Sequence, residues 1–377
     1  MFEFNKKLIF KKFFLDNTYY FLLSIFCVTL IVWVIQAVNY LDFVIEDGHG
    51  LSVYFKYMLF SIPKILSKLM LVIFFVTFFY TVNKFEDTNE LKIFWLNGIN
   101  VKKFTINILS YSAIFVLIHI FLSVFLVPLS QNKARTFIQT SKIDFFPSLI
   151  NEKKFIDTVD NLTIYIQEKI GPNSYKNIFL KDAKNKDKIK IIQAKFGNLV
   201  NEDETTKLIL YDGKIINVYG EKINNFNFEN TFFDLSNYIT KSTIDFKIQE
   251  LSSSKLINCY VNYHLLNDES YFDYLECNDA SFNMTQEELS KRIVKPLYYF
   301  TIAMCICFLL VFAKEKTKYK FYRLNVFFSG FIILLISEIS TSLSGESILS
   351  LYFTIFLPII IFLFSLIILN QKFLKYK

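Results

Sequence analysis

Six stretches of this chain are apolar enough, and long enough, to cross a bilayer: roughly Leu15–Val38, Ile65–Val82, Phe104–Leu129, Pro296–Ala313, Leu324–Leu343 and Leu349–Leu369. A spanning helix needs about 20 predominantly apolar residues. Lipid offers no partner to a backbone N–H or C=O, so such stretches are restricted to helices that satisfy their own hydrogen bonds. The second can start earlier, near Val53, with Pro63 as a kink whose lost hydrogen bond a neighbour replaces. Composition matters here in one respect. Hydrophobic residues make up 53% of the 377 and charged residues 20%, so the charges must be segregated from the apolar runs. That is the pattern of a membrane protein carrying a soluble portion.

The loop charges orient the spans. Lys6, Lys7, Lys11 and Lys12 precede the first, and Lys84, Lys92, Lys102 and Lys103 lie between the second and third. Lys314, Lys316, Lys318, Lys320 and Arg323 join the fourth to the fifth, and Lys372, Lys375 and Lys377 end the chain. The opposite short loops, Asn39–Ser52 and Ser344–Ile348, contain neither Lys nor Arg. By the positive-inside rule both termini and the loop after the second span are expected in the cytoplasm. The net charge of +7 is thereby read as topology and not as nucleic-acid binding. The basic start, Met1–Lys12, leads into a long apolar run without a small-residue cleavage site, which reads as a retained first helix.

The polar stretch from Ser130 to Arg292 is then expected outside. It alternates with period two in Leu162–Gln167 and Lys188–Phe196, and two further runs, Lys207–Tyr211 and Lys214–Tyr219, flank an Asp212-Gly213 turn signal. Short strands are also expected at Asn225–Phe233 and Thr243–Ile248, and a helix over Gln286–Val294. Many short strands with almost no helical stripe predict a β-sandwich or jelly roll. The expected fold class is an α-helical membrane protein with six transmembrane helices and an extracytoplasmic all-β, jelly-roll-like domain between helices three and four. Its expected divisions are residues 1–129, 130–292 and 293–377. Cys27, Cys305 and Cys307 sit in apolar runs, whereas Cys259 and Cys277 lie in the polar region, where a disulfide can form if it faces an oxidising compartment.

Catalytic signals are missing. There is no G-x-x-x-x-G-K-[ST] sequence to cradle a nucleotide, and His49, His119 and His264 lie far apart without a nucleophile partner. No Cys/His spacing suggests a metal. We expect no catalytic residue and no cofactor bound by this chain, so that any driving energy comes from elsewhere. Ionisable groups in the spans are costly unless they face a polar cavity. Lys64 and Lys68, four apart with Tyr57 and Ser61 on the same face, read either as a cationic strip for an anionic headgroup or as snorkelling side chains. Glu338, among Ser337, Ser340, Thr341 and Ser342, reads as lining a wet cavity or sitting at the interface. His119 reads as an interhelical hydrogen bonder.

The loop Phe85–Gly98 carries a short helix with both ends marked. Asp87 is placed to cap its N-terminus, with Glu90 completing a capping box, and Asn97-Gly98 supplies a left-handed end. Leu91, Ile93, Phe94, Trp95 and Leu96 leave little of its surface polar, so it needs cover, and a partner protein is the expected cover.

Three spans, an outer β-domain, three more spans and no ATPase together resemble the permease subunits LptF and LptG of the lipopolysaccharide exporter. Glu90-Leu91 with Gly98 matches one family motif after the second span; Glu288, Leu289, Arg292, Pro296 and Leu297 match another, entering the fourth. Leu357-Pro358 is kept in the last span, while Leu71 replaces a family proline and Ile355-Phe356 replaces an aromatic position. Val32–Ala37 with Leu41-Asp42, and Leu162–Ile166, resemble the LptF branch. The resemblance implies a half-permease that pairs with an LptG-like subunit, binds an LptB-like ATPase dimer that supplies ATP hydrolysis, and passes lipopolysaccharide to an LptC-like protein. It implies substrate entry between the first and fifth spans of opposite subunits. It also places Glu90, Leu91, Phe94, Trp95 and Gly98 on an ATPase-coupling helix, about residues 87–98. Lys64, Lys68, Glu338 and Arg292 are the candidate lining of the substrate cavity. Two other readings are a different lipid- or lipoprotein-handling ABC permease, and a membrane-anchored sensor or scaffold with an outer β-domain.

Overall fold

The computed structural model describes residues 2–41, 51–140, 152–159, 161–171, 173–185, 188–202, 205–219, 222–235, 247–261, 271–272, 275–276, 279–311 and 319–375. Six of its helical stretches are long and apolar enough to cross a membrane. The first is α1 (Phe2–Asn39); the second, α2 (Leu51–Asp87), contains Pro63, so the early start near Val53 is the one observed. A short α3 (Glu90–Leu96) follows. The third span is α4 (Val101–Phe121), a π turn over Leu122–Leu126, and α5 (Val127–Thr140). After the sheet come α6 (Ser253–Val261) and α7 (Asp279–Ile293). The fourth span joins α7 through a 3-10 turn, Lys295–Leu297, to α8 (Tyr298–Cys307). α9 (Tyr319–Leu343) and α10 (Ile348–Lys375) complete the six.

The chain divides into two compact units. The first comprises Met1–Trp33, Ile62–Gln131 and Lys247–Lys377. Its centre is α8, apolar on every side, where Tyr298, Tyr299, Ile302, Ala303, Ile306 and Cys307 are all fully buried. A helix without a polar face can only be an interior helix or one facing lipid, and here it is interior. Gly330 on α9 permits a close crossing with α2, since a Cβ there would fall 2.2 Å from the Phe75 ring.

The second unit, Val34–Ser61 with Asn132–Phe246, contains an open six-stranded antiparallel sheet in the order β1-β2-β3-β4-β5-β6. Its strands are β1 (Phe155–Val159), β2 (Leu162–Gly171), β3 (Ser174–Asn185), β4 (Lys188–Glu202), β5 (Thr205–Tyr219) and β6 (Lys222–Asp234). The sheet is consistent with the jelly-roll-like domain expected between helices three and four. One face is buried, carrying Leu162, Ile164, Ile166, Leu180, Ile192 and Leu208.

The structure departs from the sequence expectation in three places. Asp212-Gly213 is not a hairpin turn. It lies within β5, whose pairing with β6 keeps one register from Lys207↔Asp234 to Tyr219↔Lys222, passing over Asp212 alone. The inward-facing pattern nonetheless steps by three, from Leu210 to Gly213, instead of by two. The same step occurs at Tyr175–Ile178 in β3 and Ala194–Gly197 in β4, each time with two unburied residues between. Asn177 and Asp212 adopt left-handed backbone, φ 52° and 50°, and this reverses the side-chain alternation beyond them. Because neighbouring strands break phase at the same level, no register is lost. A transverse crease results, and its phase break in β5 is what imitated a turn. Gly213 is required there: a Cβ would fall 2.1 Å from the Gln193 carbonyl oxygen.

Secondly, the polar region has more helix than expected, in α5, in α6 and in the first half of α7, whose second half is the helix expected over Gln286–Val294; the added pieces are short and amphipathic. Of the strand expected at Thr243–Ile248, residues 243–246 lie outside the described residues, and Ile248 begins a 3-10 turn instead. Thirdly, the capping box of α3 is absent. Asn89, in left-handed conformation at φ 61°, is the N-cap and makes no side-chain capping bond. α2 runs on through Asp87, so that residue is still helical and cannot adopt the extended backbone a capping residue needs.

Replacing Gly213 by Ala should overpack the β4–β5 contact and cost about 1–3 kcal/mol. A thermal melt of the full chain in detergent, followed by β-sheet circular dichroism, is expected to shift downward; an unchanged melt would show that β4 yields without strain.

Candidate functional site

Two groups of side chains in the first unit carry the polar chemistry. The smaller is α3 and its supports. Its C-terminus closes as a Schellman motif: Gly98, at φ 69°, donates to the Trp95 carbonyl and Ile99 donates to that of Phe94. The left-handed end expected from Asn97-Gly98 is therefore present. Leu91 and Phe94 point into the protein and are 2% exposed. Phe94 packs edge-on against Phe104 at 5.4 Å and against Phe10 at 6.0 Å. Phe13, fully buried, stands 5.0 Å from Phe85 and 5.2 Å from Phe104. Trp95 is half-buried, with its ring 5.9 Å from that of Phe104. The chain itself thus covers much of the apolar surface of α3. What it leaves outside is Ile93 and Leu96, the latter 86% exposed.

Glu90 is held by Lys12 at 2.7 Å and accepts from the Thr88 hydroxyl at 3.2 Å. These bonds, that to Lys12 foremost, keep its carboxyl below the usual carboxylate range. A depressed folded-state pKa means the pair is intact at neutral pH and is lost as pH falls through that lowered value. Arg323, at the start of α9, reaches Asp87 at 3.3 Å, so two ion pairs tie this corner to the bundle. Both pairs are largely exposed and each contributes at most about 1 kcal/mol.

The larger group surrounds a pocket of about 130 Å³ and brings together all four residues expected to line a cavity: Lys64, Lys68, Arg292 and Glu338. Their roles differ. Arg292 is 2% exposed and fully engaged, with Nε 2.9 Å from Glu288. Its Nη1 donates to the Leu251 carbonyl and to Ser253 Oγ, and Nη2 donates to the Gln249 carbonyl. Ser253 donates in turn to the Val124 carbonyl, inside the π turn, at 2.8 Å. A π turn leaves carbonyls without their usual helical donors, and the Arg292–Ser253 relay supplies one. Arg292 is thus a tether between α7, the Gln249–Ser253 segment and the third span.

Glu338 is paired with Lys295, and Lys291 with Glu287. Among the described residues, Lys64 and Lys68 have no carboxylate partner. The pocket therefore carries five cations of which three are neutralised. His119 is buried and bridges helices, as expected, with Nδ1 3.0 Å from the Tyr299 hydroxyl and Nε2 3.4 Å from Ser67 Oγ. Sequence reasoning missed Lys295, Lys291 and Ser67. Their one legible signal is the i,i+4 spacing of Glu287 with Lys291. Among the described residues no group of His, Cys, Asp and Glu side chains could hold a metal. Cys27, Cys305 and Cys307 are free thiols. Cys259 is fully buried, while Cys277 lies outside the described residues.

The family model for the lipopolysaccharide export system permease LptF/LptG matches residues 9–372. The chain belongs to the LptF/LptG family. It is a membrane-spanning lipopolysaccharide export permease, and the motif that marks it at the fourth span has a physical basis. The motif residues Glu288 and Arg292 are the i,i+4 pair of the buried tether, and Pro296 sits in the 3-10 turn that follows. An uncharacterized protein of Rickettsia prowazekii (strain Madrid E) is 24% identical over 378 residues, covering 96% of this chain and 99% of that protein.

Arg292→Ala should be among the most damaging single changes in this unit. It strands Glu288 and several buried acceptors, at about 3–5 kcal/mol. The check is the yield and melting temperature of the full chain in detergent, with Arg292→Lys recovering little because an ammonium cannot reproduce the planar fork.

Proposed function

We propose that this chain is one half of an ABC exporter that extracts lipopolysaccharide from the inner membrane and hands it to a bridge towards the outer membrane. A separate, LptB-like ATPase dimer supplies the energy, an LptG-like chain completes the permease, and an LptC-like protein receives the substrate. Both termini lie in the cytoplasm and the sheet in the periplasm, by the segregation of Lys and Arg among the short loops. Similarity of Val32–Ala37 and Leu162–Ile166 to the LptF branch favours that half of the pair.

The observation that carries this reading is the construction of α3. It is a single helix between two spans, held by its buried Leu91 and Phe94 and by the Glu90–Lys12 pair, and it offers Ile93 and Leu96 to solvent. Two exposed apolar side chains on a rigidly mounted short helix are what a partner's cleft can grip, as anchoring residues do at protein interfaces. The Schellman end fixes the direction in which the helix is presented. A push from a bound ATPase would pass through Phe94 and Phe13 into the first and second spans. Glu90, Leu91, Phe94, Trp95 and Gly98 thereby set the helix in place, while the neighbouring exposed residues make the contact.

Within the membrane unit, Lys64 and Lys68 are the groups available to an anionic headgroup, since their neighbours are neutralised. Arg292 acts behind them as a positioning residue. Glu338 holds Lys295 and so keeps a third cation from competing.

Changing Leu96 to Asp should abolish recovery of the ATPase in a pull-down of the assembled transporter while leaving the melting temperature intact. Glu90→Ala should weaken it partially and Glu90→Gln less, because the amide still accepts from Thr88. Normal ATPase recovery and growth complementation with Leu96→Asp would refute the docking assignment. In the cavity, Lys64→Glu with Lys68→Glu should lower the yield of lipopolysaccharide photocrosslinked to the bundle several-fold at equal expression. An unchanged yield would return both lysines to a snorkelling role.

A further inference from the structure

The crease in the sheet creates a feature on the face opposite the apolar one. An open groove of about 770 Å³ runs across the strands there. Its first wall is a line of cross-strand neighbours, Tyr165, Phe179, Gln193, Lys214 and Asn227, and Phe155 on β1, paired with Tyr165, continues that line beyond the groove. The line is aromatic at one end and polar at the other. The Phe155 ring lies 4.9 Å from that of Tyr165 and 6.5 Å from that of Phe179, and Phe155 is 69% exposed. Across the crease, Asn177 donates to Gln167 at 2.8 Å, and Lys195 pairs with Asp212 at 2.6 Å. Glu229 completes that side.

Three properties narrow what such a groove can take. Its charges balance, Lys195 and Lys214 against Asp212 and Glu229, with Lys195 bound to Asp212, so neither a polyphosphate nor a nucleic acid is favoured. It crosses the strands on a face, whereas an added peptide strand would need an open backbone edge. It joins exposed aromatic surface to planar amide and carboxylate groups, each offering paired donors or acceptors. Sugars present just that complement, with C–H faces that lie on rings and hydroxyl pairs that both donate and accept. Neighbouring strands lie about 4.8 Å apart, so five strands give a track of roughly 19 Å, which suits an oligosaccharide and not a single sugar.

The geometry points to a saccharide-binding groove on the outer face of the β2–β6 sheet, with Tyr165 as the stacking platform and Gln193 and Asn227 as the hydroxyl partners. Asn177 and Asp212 shape it, because their left-handed backbone sets the crease and both also line the groove. The saccharide can be the sugar portion of the transported glycolipid or a soluble cell-wall oligosaccharide. The groove itself stands apart from the transport reading; only the choice of first ligand rests on it.

The test uses the full chain in detergent with two probes. One is the lipid-free oligosaccharide released from lipopolysaccharide by mild acid; the other is a tetrasaccharide of alternating N-acetylglucosamine and N-acetylmuramic acid. Saturation-transfer NMR and titration are run on the native chain, on Gln193→Ala with Asn227→Ala, and on Tyr165→Ala. Saturable binding is expected for at least one probe, weakened by about tenfold in the double variant, as the loss of two net hydrogen bonds predicts. Tyr165→Ala should remove the transfer signal from ring C–H protons while the melting temperature holds. Binding of the first probe assigns the groove to the transported molecule, and binding of the second alone assigns it to the cell wall. Absence of binding by both, or binding that neither variant changes, overturns the assignment. If lipopolysaccharide still crosslinks to the membrane bundle in that case, the transport reading survives without the groove. Saccharide binding without that crosslink would be the reverse outcome.

Discussion

Every backbone polar group within a bilayer must find a partner inside the protein, and the structure of the first unit follows from that demand. Five of the six spans meet it with helix interrupted at most by a proline or a 3-10 turn. The third does not, because the π turn at Leu122–Leu126 opens the ladder. The repair comes from residues distant in sequence: Ser253 donates to the Val124 carbonyl, Ser123 donates to the Arg292 carbonyl, and the Arg292 guanidinium holds Ser253. One irregular turn therefore fixes α7 and the segment leaving the sheet region against the third span. The basic pocket with Lys64 and Lys68 opens beside this repair, so the polar chemistry of the membrane unit is concentrated where its backbone is least regular.

At the other end of the bundle the governing interaction is aromatic packing. Phe13 lies among Phe85, Phe94 and Phe104, each ring edge-on or tilted to the next, an arrangement that suits the ring quadrupoles. It makes α3 an extension of the core and not an independent appendage. A helix of seven residues would not persist alone in water. Mounted on this cluster it becomes a rigid surface, and Lys12–Glu90 sets its rotation.

The second unit shows a different solution to a geometric demand. A long sheet that must curve needs breaks in its regular alternation, which are commonly bulges that add a residue to one strand. Here adjacent strands change phase together, with Asn177 and Asp212 in left-handed backbone, so the ladder keeps its register while the faces exchange parity. The groove on the outer face is the direct product of this shared change.

Spans, their order and the presence of a β-domain were legible in the sequence because they depend on local quantities: the length of apolar runs and the alternation of apolar residues. The Gly98 end of α3 was equally legible, since only a residue tolerant of positive φ fits there. Two of the misread features depend on pairing between distant residues. Asp212-Gly213 carries the local chemistry of a turn, and only its neighbours in β4 and β6 keep it in a strand. Glu90 has the spacing of a capping box, but Lys12, many residues earlier, takes its carboxylate. Lys64, Lys68, Arg292 and Glu338 were visible as costly charges in apolar surroundings. Which of them is a tether, which is neutralised and which is left unpaired was decided only when folding set their partners beside them, because a charge's role rests on the groups within a few ångströms and not on its place in the chain.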